Sequence, residues 1–161
     1  HPPPRPRGAG LLRARRLQCL REPISLEEIN EEGRLGSYVL NGNIGIQIKH
    51  STQRLGPWQF TFTRNNLEEL GILISLRREV FVAFVCFVDG IATLSAREIL
   101  DLIAPGQTEQ AWVRIDRRRG GWYSVSGAMG PLARKKPKGV QMIVDAVREI
   151  GLLPRSIVTA P

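Results

Sequence analysis

The sequence predicts an α/β fold: a mixed sheet with a central hairpin and helices on both faces. Three observations predict it. Residues 80–88 (Val-Phe-Val-Ala-Phe-Val-Cys-Phe-Val) form a continuous β-branched and aromatic run, the pattern of a strand covered on both sides. Residues 36–52 read as a hairpin around Asn41-Gly42, a pair that tolerates positive φ. Stretches with helical spacing and capping signals alternate with these strands. The chain has 161 residues and 42% hydrophobic content, enough for one domain with a real core. That domain is expected over 11–151, between an extended basic arm (1–10) and a C-terminal tail (152–161).

The elements follow in order. Residues 1–8 contain four prolines, which remove donors and fix φ, so an extended arm is expected. Residues 11–22 have helical spacing, with Arg13, Arg15, Arg16 and Arg21 largely outward, and Pro23 ends the stretch. Ser25 and Glu28 form a capping box for a short helix to about Glu32, which Gly33 stops. In the second arm of the hairpin, Ile44, Ile46 and Ile48 point one way, and Gly45, Gln47 and Lys49 the other. Residues 58–63 alternate strictly, with Trp58, Phe60 and Phe62 on the core face. Asn65 or Asn66 is expected to cap a helix over 67–76, with Leu67, Leu70 and Ile74 inward. After the run at 80–88, Asp89-Gly90 turns the chain into a short strand at 91–94. Ser95 and Glu98 form a second capping box, for a helix to Ile103. Residues 111–116 and 122–126 are strands around a tip of Arg117, Arg118 and Arg119. Residues 127–139 read as a basic loop. Residues 140–150 are amphipathic, with Ile143, Val144, Val147 and Ile150 inward.

Charge narrows the partners. The formal net charge is +8, and it is concentrated. Residues 1–22 carry six Arg and one Glu; residues 114–138 carry eight Lys or Arg and one Asp, so the rest of the chain is mildly acidic. Two basic blocks on such a body point to a polyanion, with nucleic acid, DNA in particular, as the expected partner. The residues expected to contact it are Arg117, Arg118, Arg119, Arg134, Lys135, Lys136 and Lys138, with Arg13 and Arg16. No apolar run reaches the ~20 residues a membrane helix needs, so no membrane association is expected. The chain starts with His, as a fragment or processed chain would, and shows no signal-peptide pattern. Cys19 and Cys86 form no disulfide framework, so an intracellular location, cytoplasmic or nucleoid, is expected. A homodimer or larger complex is compatible with these features. With only His1 and His50, there is no Cys/His zinc set and no support for a Ser/His/Asp triad; Walker and dinucleotide loops are also missing.

The order of elements, with Gln47-Ile48-Lys49 on the second hairpin strand, resembles the restriction-endonuclease-like, or PD-(D/E)XK, nuclease superfamily over residues 11–103. His50-Ser51-Thr52, the aromatic strand at 58–62 and the buried strand before Asp89-Gly90 match the same region of that family. The resemblance implies a restriction-endonuclease-like mixed sheet, with Gln47 and Lys49 in a Gln-x-Lys variant of the Asp/Glu-x-Lys motif. An active member would use Mg²⁺ held by carboxylates, with the lysine orienting or deprotonating the attacking water. The family's first-strand acid falls at Ser37, which is not an acid. With a three-residue turn over 41–43, Ser37 pairs with Gln47; with a two-residue turn, Gly36 does, and Tyr38 shares the face. Neither register supplies a carboxylate. The implied catalytic positions are therefore Lys49, Gln47 and Ser37, and the implied metal positions are Gln47 with Glu28 and Glu31 from the preceding segment. Two readings follow from this: a nucleic-acid-binding protein with a degenerate or incomplete metal centre and no cofactor, or an active Mg²⁺-dependent DNA endonuclease. A third, from charge alone, is a basic assembly protein without enzymatic activity.

Overall fold

The computed structural model describes residues 26–28 and 36–151. Over these residues the protein is mixed α/β and β-dominated, with two sheets and three helices. The strands are β1 (Leu26–Glu28), β2 (Ser37–Leu40), β3 (Ile44–Ser51), β4 (Trp58–Thr63), β5 (Glu79–Cys86), β6 (Gly90–Ser95), β7 (Gln110–Arg117), β8 (Tyr123–Gly127) and β9 (Gly130–Pro131). The helices are α1 (Arg64–Leu76), α2 (Ala96–Leu102) and α3 (Gln141–Gly151).

The first sheet has the order β1-β2-β3-β5-β6, and only its β3–β5 pair is parallel. A parallel pair needs a long crossover, and here β4 and α1 supply it. The second sheet, β4-β7-β8-β9, is antiparallel. It packs on one face of the first through Phe60, Phe62, Val113, Ile115 and Tyr123, which meet Val39, Val82, Phe84 and Leu94. Leu70 and Leu73 of α1, with Ile99 and Leu102 of α2, complete that core. Phe84 joins the two layers, with ring centroids 4.9 Å from Phe60 and 6.0 Å from Phe62, both edge-on. On the other face, Tyr38, Leu40, Ile44, Ile46, Ile48 and Phe81 pack under Ile143, Ala146, Val147 and Ile150 of α3. β5 therefore feeds both cores, as its unbroken apolar run requires.

The hairpin takes the three-residue turn. Leu40 pairs with Ile44 and Ser37 with Gln47. Asn41 and Gly42 adopt φ of 49° and 72°, the left-handed region that Asn and Gly tolerate best.

Several expectations change. Leu26–Glu28 is a strand paired with β2, not the first turn of a helix, because an edge of the sheet competes successfully for its backbone groups. Residues 58–63 leave the hairpin's sheet and start the second one. Helix α1 begins one turn earlier than expected, with Thr63 as N-cap and Asn66 as its capping-box partner. Its buried residues are Glu69, Leu70 and Leu73, whereas Ile74 is exposed. β5 ends at Cys86: Phe87 has a φ of 49° and Val88 is exposed. The loop expected over 127–139 contains β9 and pairs further along β8. The arm, the helix over 11–22 and the tail lie outside the described residues.

Candidate functional site

Alternation along β3 turns Gln47 and Lys49 towards α1, opposite the three isoleucines that face α3. The turn then sets Ser37 beside Gln47. Helix α1 docks its first turn on this row. Asn66 Oδ1 accepts from the Thr63 N–H at 3.1 Å, closing the capping box, and from Lys49 Nζ at 2.8 Å. The Asn66 carbonyl accepts from Gln47 Nε2 at 3.0 Å. One turn on, Glu69 Oε2 accepts from Ser37 Oγ at 3.1 Å. One helix end thus binds three side chains of the hairpin while satisfying its own cap.

The cluster is closed and close to neutral. Ser37, Gln47 and Glu69 are buried, and Lys49 is half-buried. Burial lowers the Lys49 ammonium below the ordinary lysine range, and the Glu69 carboxylate pulls it partly back. The Phe62 ring lies 5.3 Å from Lys49 Nζ, a cation–π contact that also screens the ammonium from water. Gln47 Oε1 is buried and has no hydrogen-bond partner among the described residues.

This donor set does not fit Mg²⁺. Glu69 is the only carboxylate the described residues bring to Lys49, and one of its oxygens already accepts from Ser37. Lys49 balances its charge, so a dication here would be buried without net negative charge around it. Among the described residues there is no group of three or more His, Cys, Asp or Glu able to hold a metal. Glu28, expected as a ligand from a helix, lies in β1 with its backbone opposite Tyr38, one residue out of step with the Ser37–Gln47 pair. Glu31 lies outside the described residues. An open groove of about 490 Å³ runs along the other flank of α1, lined by Leu67, Leu70, Ile74, Leu100 and Gln107 among others, and none of the cluster's residues lines it.

The basic residues divide into structural and presented ones. Arg117 is structural: its Nε and Nη2 donate to Asp89 Oδ2 and Oδ1 at 2.9 and 2.6 Å. Tyr123 OH donates to the same carboxylate at 2.7 Å, and the guanidinium lies over the Tyr123 ring. The Arg117 hydrogen bonds hold Asp89 at a pKa of about 2, below the usual carboxylate range, with help from Tyr123. This latch ties the β5–β6 turn of the first sheet to the second sheet. Lys136 is structural too: it is buried and donates to both Glu98 oxygens, at 3.0 and 3.1 Å. That pairing occupies the capping-box glutamate of α2. Arg118, Arg119, Arg134, Lys135 and Lys138 remain exposed. Arg13 and Arg16 lie outside the described residues.

Asn66, expected only as a cap, and Glu69, which no motif marks, are the partners of the hairpin side chains. A helical phase centred on Leu70 and Leu73, rather than Leu67 and Ile74, puts positions 66, 69 and 73 on one flank. Thr63-x-x-Asn66 is the cap that sets this phase, and it lacks the Glu or Gln by which a capping box is usually spotted.

Cys86 is fully buried; burial, with Asp89 nearby, pushes its thiol up to about 12, so it has no nucleophilic character. No helix of the described residues is long and apolar enough to cross a membrane. Comparison with protein-family models, with curated proteins and with solved structures finds no match to this chain.

Proposed function

We propose that this chain is a nucleic-acid-binding protein with a nuclease-like fold and a degenerate metal centre. The observation that carries the reading is the pairing of Tyr123 with Lys136, whose N–H and C=O groups exchange two bonds of 2.8 Å. Because Tyr123 also pairs with Arg117, this pairing lays the 134–138 segment alongside the hairpin whose turn carries Arg118 and Arg119. Arg118, Arg119, Arg134, Lys135 and Lys138 are all exposed on these two segments, the kind of charge a phosphate-backbone binder needs. DNA is the polyanion we favour.

The lysine cluster supports the degenerate part of the reading. Ser37, Gln47 and Lys49 stand together on the hairpin, but they are bonded to Asn66 and Glu69, and one carboxylate does not make a Mg²⁺ site. The chemistry left to them is to hold α1 against the hairpin.

Binding of labelled DNA followed by fluorescence anisotropy across a salt series tests the proposal. Affinity should fall steeply with salt. Arg118→Ala with Arg119→Ala should reduce the logarithmic slope by roughly 0.9 for each duplex phosphate left without its cation. Affinity indifferent to salt would remove nucleic acid as the partner. A plasmid assay with Mg²⁺ or Mn²⁺ addresses the endonuclease alternative: cleavage abolished by both Lys49→Ala and Glu69→Gln would establish an active centre and overturn the degenerate one.

A further inference from the structure

The outer face of the second sheet is uncovered by any described element and has a distinct composition. Its outward positions are Gln59, Thr61 and Thr63 on β4, Trp112, Arg114 and Asp116 on β7, and Ser124 and Ser126 on β8. The register places Thr61 beside Trp112, and Gln59 and Ser126 on either side of Arg114. Small hydroxyl side chains therefore leave a low shelf around one tryptophan and one arginine. At one end of the shelf the β7–β8 turn is held by the Gly121 N–H, which donates to the Arg118 carbonyl at 2.8 Å, and by Gly120 in the left-handed region. The next residue is Trp122, whose side chain is largely in solvent at 58% exposure. The antiparallel pairing of Tyr123 with Lys136 sets the exposed Lys135 opposite Ser124, at the margin of the shelf.

The Trp122 indole is largely solvent-exposed, and two exposed arginines, Arg118 and Arg119, stand on the same turn. Double-stranded nucleic acid offers such a ring little, because its bases are already stacked. A single strand offers base faces and phosphates together. The charge is complementary: Arg114, Arg118, Arg119 and Lys135 surround the shelf, and its one acid, Asp116, accepts from the Arg117 N–H. Resting on the nucleic-acid reading, we infer that this face binds single-stranded nucleic acid: Trp122 stacks on a base, and Arg114, Arg118, Arg119 and Lys135 contact the backbone. The Asp89–Arg117–Tyr123 latch holds the turn at the height at which Trp122 meets the strand.

The test compares oligo(dT), oligo(rU) and a DNA duplex of equal length as anisotropy probes, at one salt concentration and then across a salt series. The wild-type protein should bind a single strand more tightly than the duplex, with quenching of tryptophan fluorescence. Trp122→Ala should weaken single-strand binding by roughly 5- to 150-fold, the range for removal of one stacked base, and leave duplex binding and the salt slope unchanged. In a Trp112→Phe background, where Trp122 and the buried Trp58 are the remaining tryptophans, Trp122→Phe should keep most of the affinity and lose most of the quenching. Arg118→Ala should instead flatten the single-strand salt slope by roughly 0.7. An unchanged thermal midpoint in each variant confirms an intact fold at this exposed turn. If single strand and duplex bind equally and Trp122→Ala changes neither, the stacking inference is overturned while the nucleic-acid reading stands. If none of the three probes binds even at low salt, the nucleic-acid reading itself fails.

Discussion

At Lys49 the ammonium is half-buried, bonded to Asn66, screened by Phe62 and opposed by one carboxylate. At Arg118 and Arg119 the guanidiniums stand in solvent at the end of a hairpin and make no ion pair among the described residues. Both regions carry positive charge on antiparallel β-hairpins, yet they face opposite requirements. A buried cation must have its partners inside the protein, so it is committed to the fold. An exposed cation keeps its hydration and remains available to an outside anion. Arg117 makes the same point within one tripeptide: bonded to Asp89, it belongs to the fold, and its two neighbours belong to the surface.

The largest effect of a single substitution should come where the two regions join. Phe84→Ala removes the ring between the sheets and should cost about 3–5 kcal/mol in urea unfolding. Both regions should unfold together; separate transitions would mean that the two sheets are not one cooperative unit.

Removing the carboxylate at the closed cluster should cost less. Glu69→Ala leaves Ser37 Oγ without its acceptor and Lys49 without its opposing charge, a loss of about 2 kcal/mol. Lys49→Met added to Glu69→Ala should cost less than the sum of the two single changes, because no cation is then left without a countercharge. Additive losses would show that the two groups do not interact.

The latch between the regions should respond to a single hydroxyl and to acid. Tyr123→Phe removes one hydrogen bond to the Asp89 carboxylate and should cost about 1–2 kcal/mol. The Asp89 pKa is lowered from 3.8 to about 2, so its contribution is fully present above about pH 4 and is lost as pH falls through about 2. Asp89→Asn should therefore flatten the stability profile on that acid limb. A profile identical to wild type below pH 4 would show that the latch does not stabilise the fold.

The smallest effect on stability, and the largest contrast in function, should be at the presented arginines. Arg118→Ala with Arg119→Ala should change unfolding free energy by less than about 0.5 kcal/mol while lowering nucleic-acid affinity at low salt. A marked loss of stability would place these side chains in the fold, as Arg117 is.

Local pattern carried much of this protein. The hairpin, its isoleucine face, the doubly buried β5, the Ser95–Glu98 capping box and the inward row of α3, save that Ala146 rather than Val144 is buried, follow from periodicity and turn chemistry, which act over a few residues. Other features depended on contacts between distant segments. Leu26–Glu28 joins the sheet although Ser25 and Glu28 form a capping pattern, because pairing with β2 comes from outside the local stretch. The move of β4 into a second sheet is set by its pairing with β7, about fifty residues later. The same holds at the cluster. That Gln47 and Lys49 share a face was evident in the alternation of β3; that their partners are Asn66 and Glu69 was not. Composition and spacing determined that the chain would be α/β, basic at two places, with an amide and a lysine on one strand face. Only the tertiary structure decided which cations are committed and which are presented, because burial is a property of what packs against a residue and not of its neighbours in sequence.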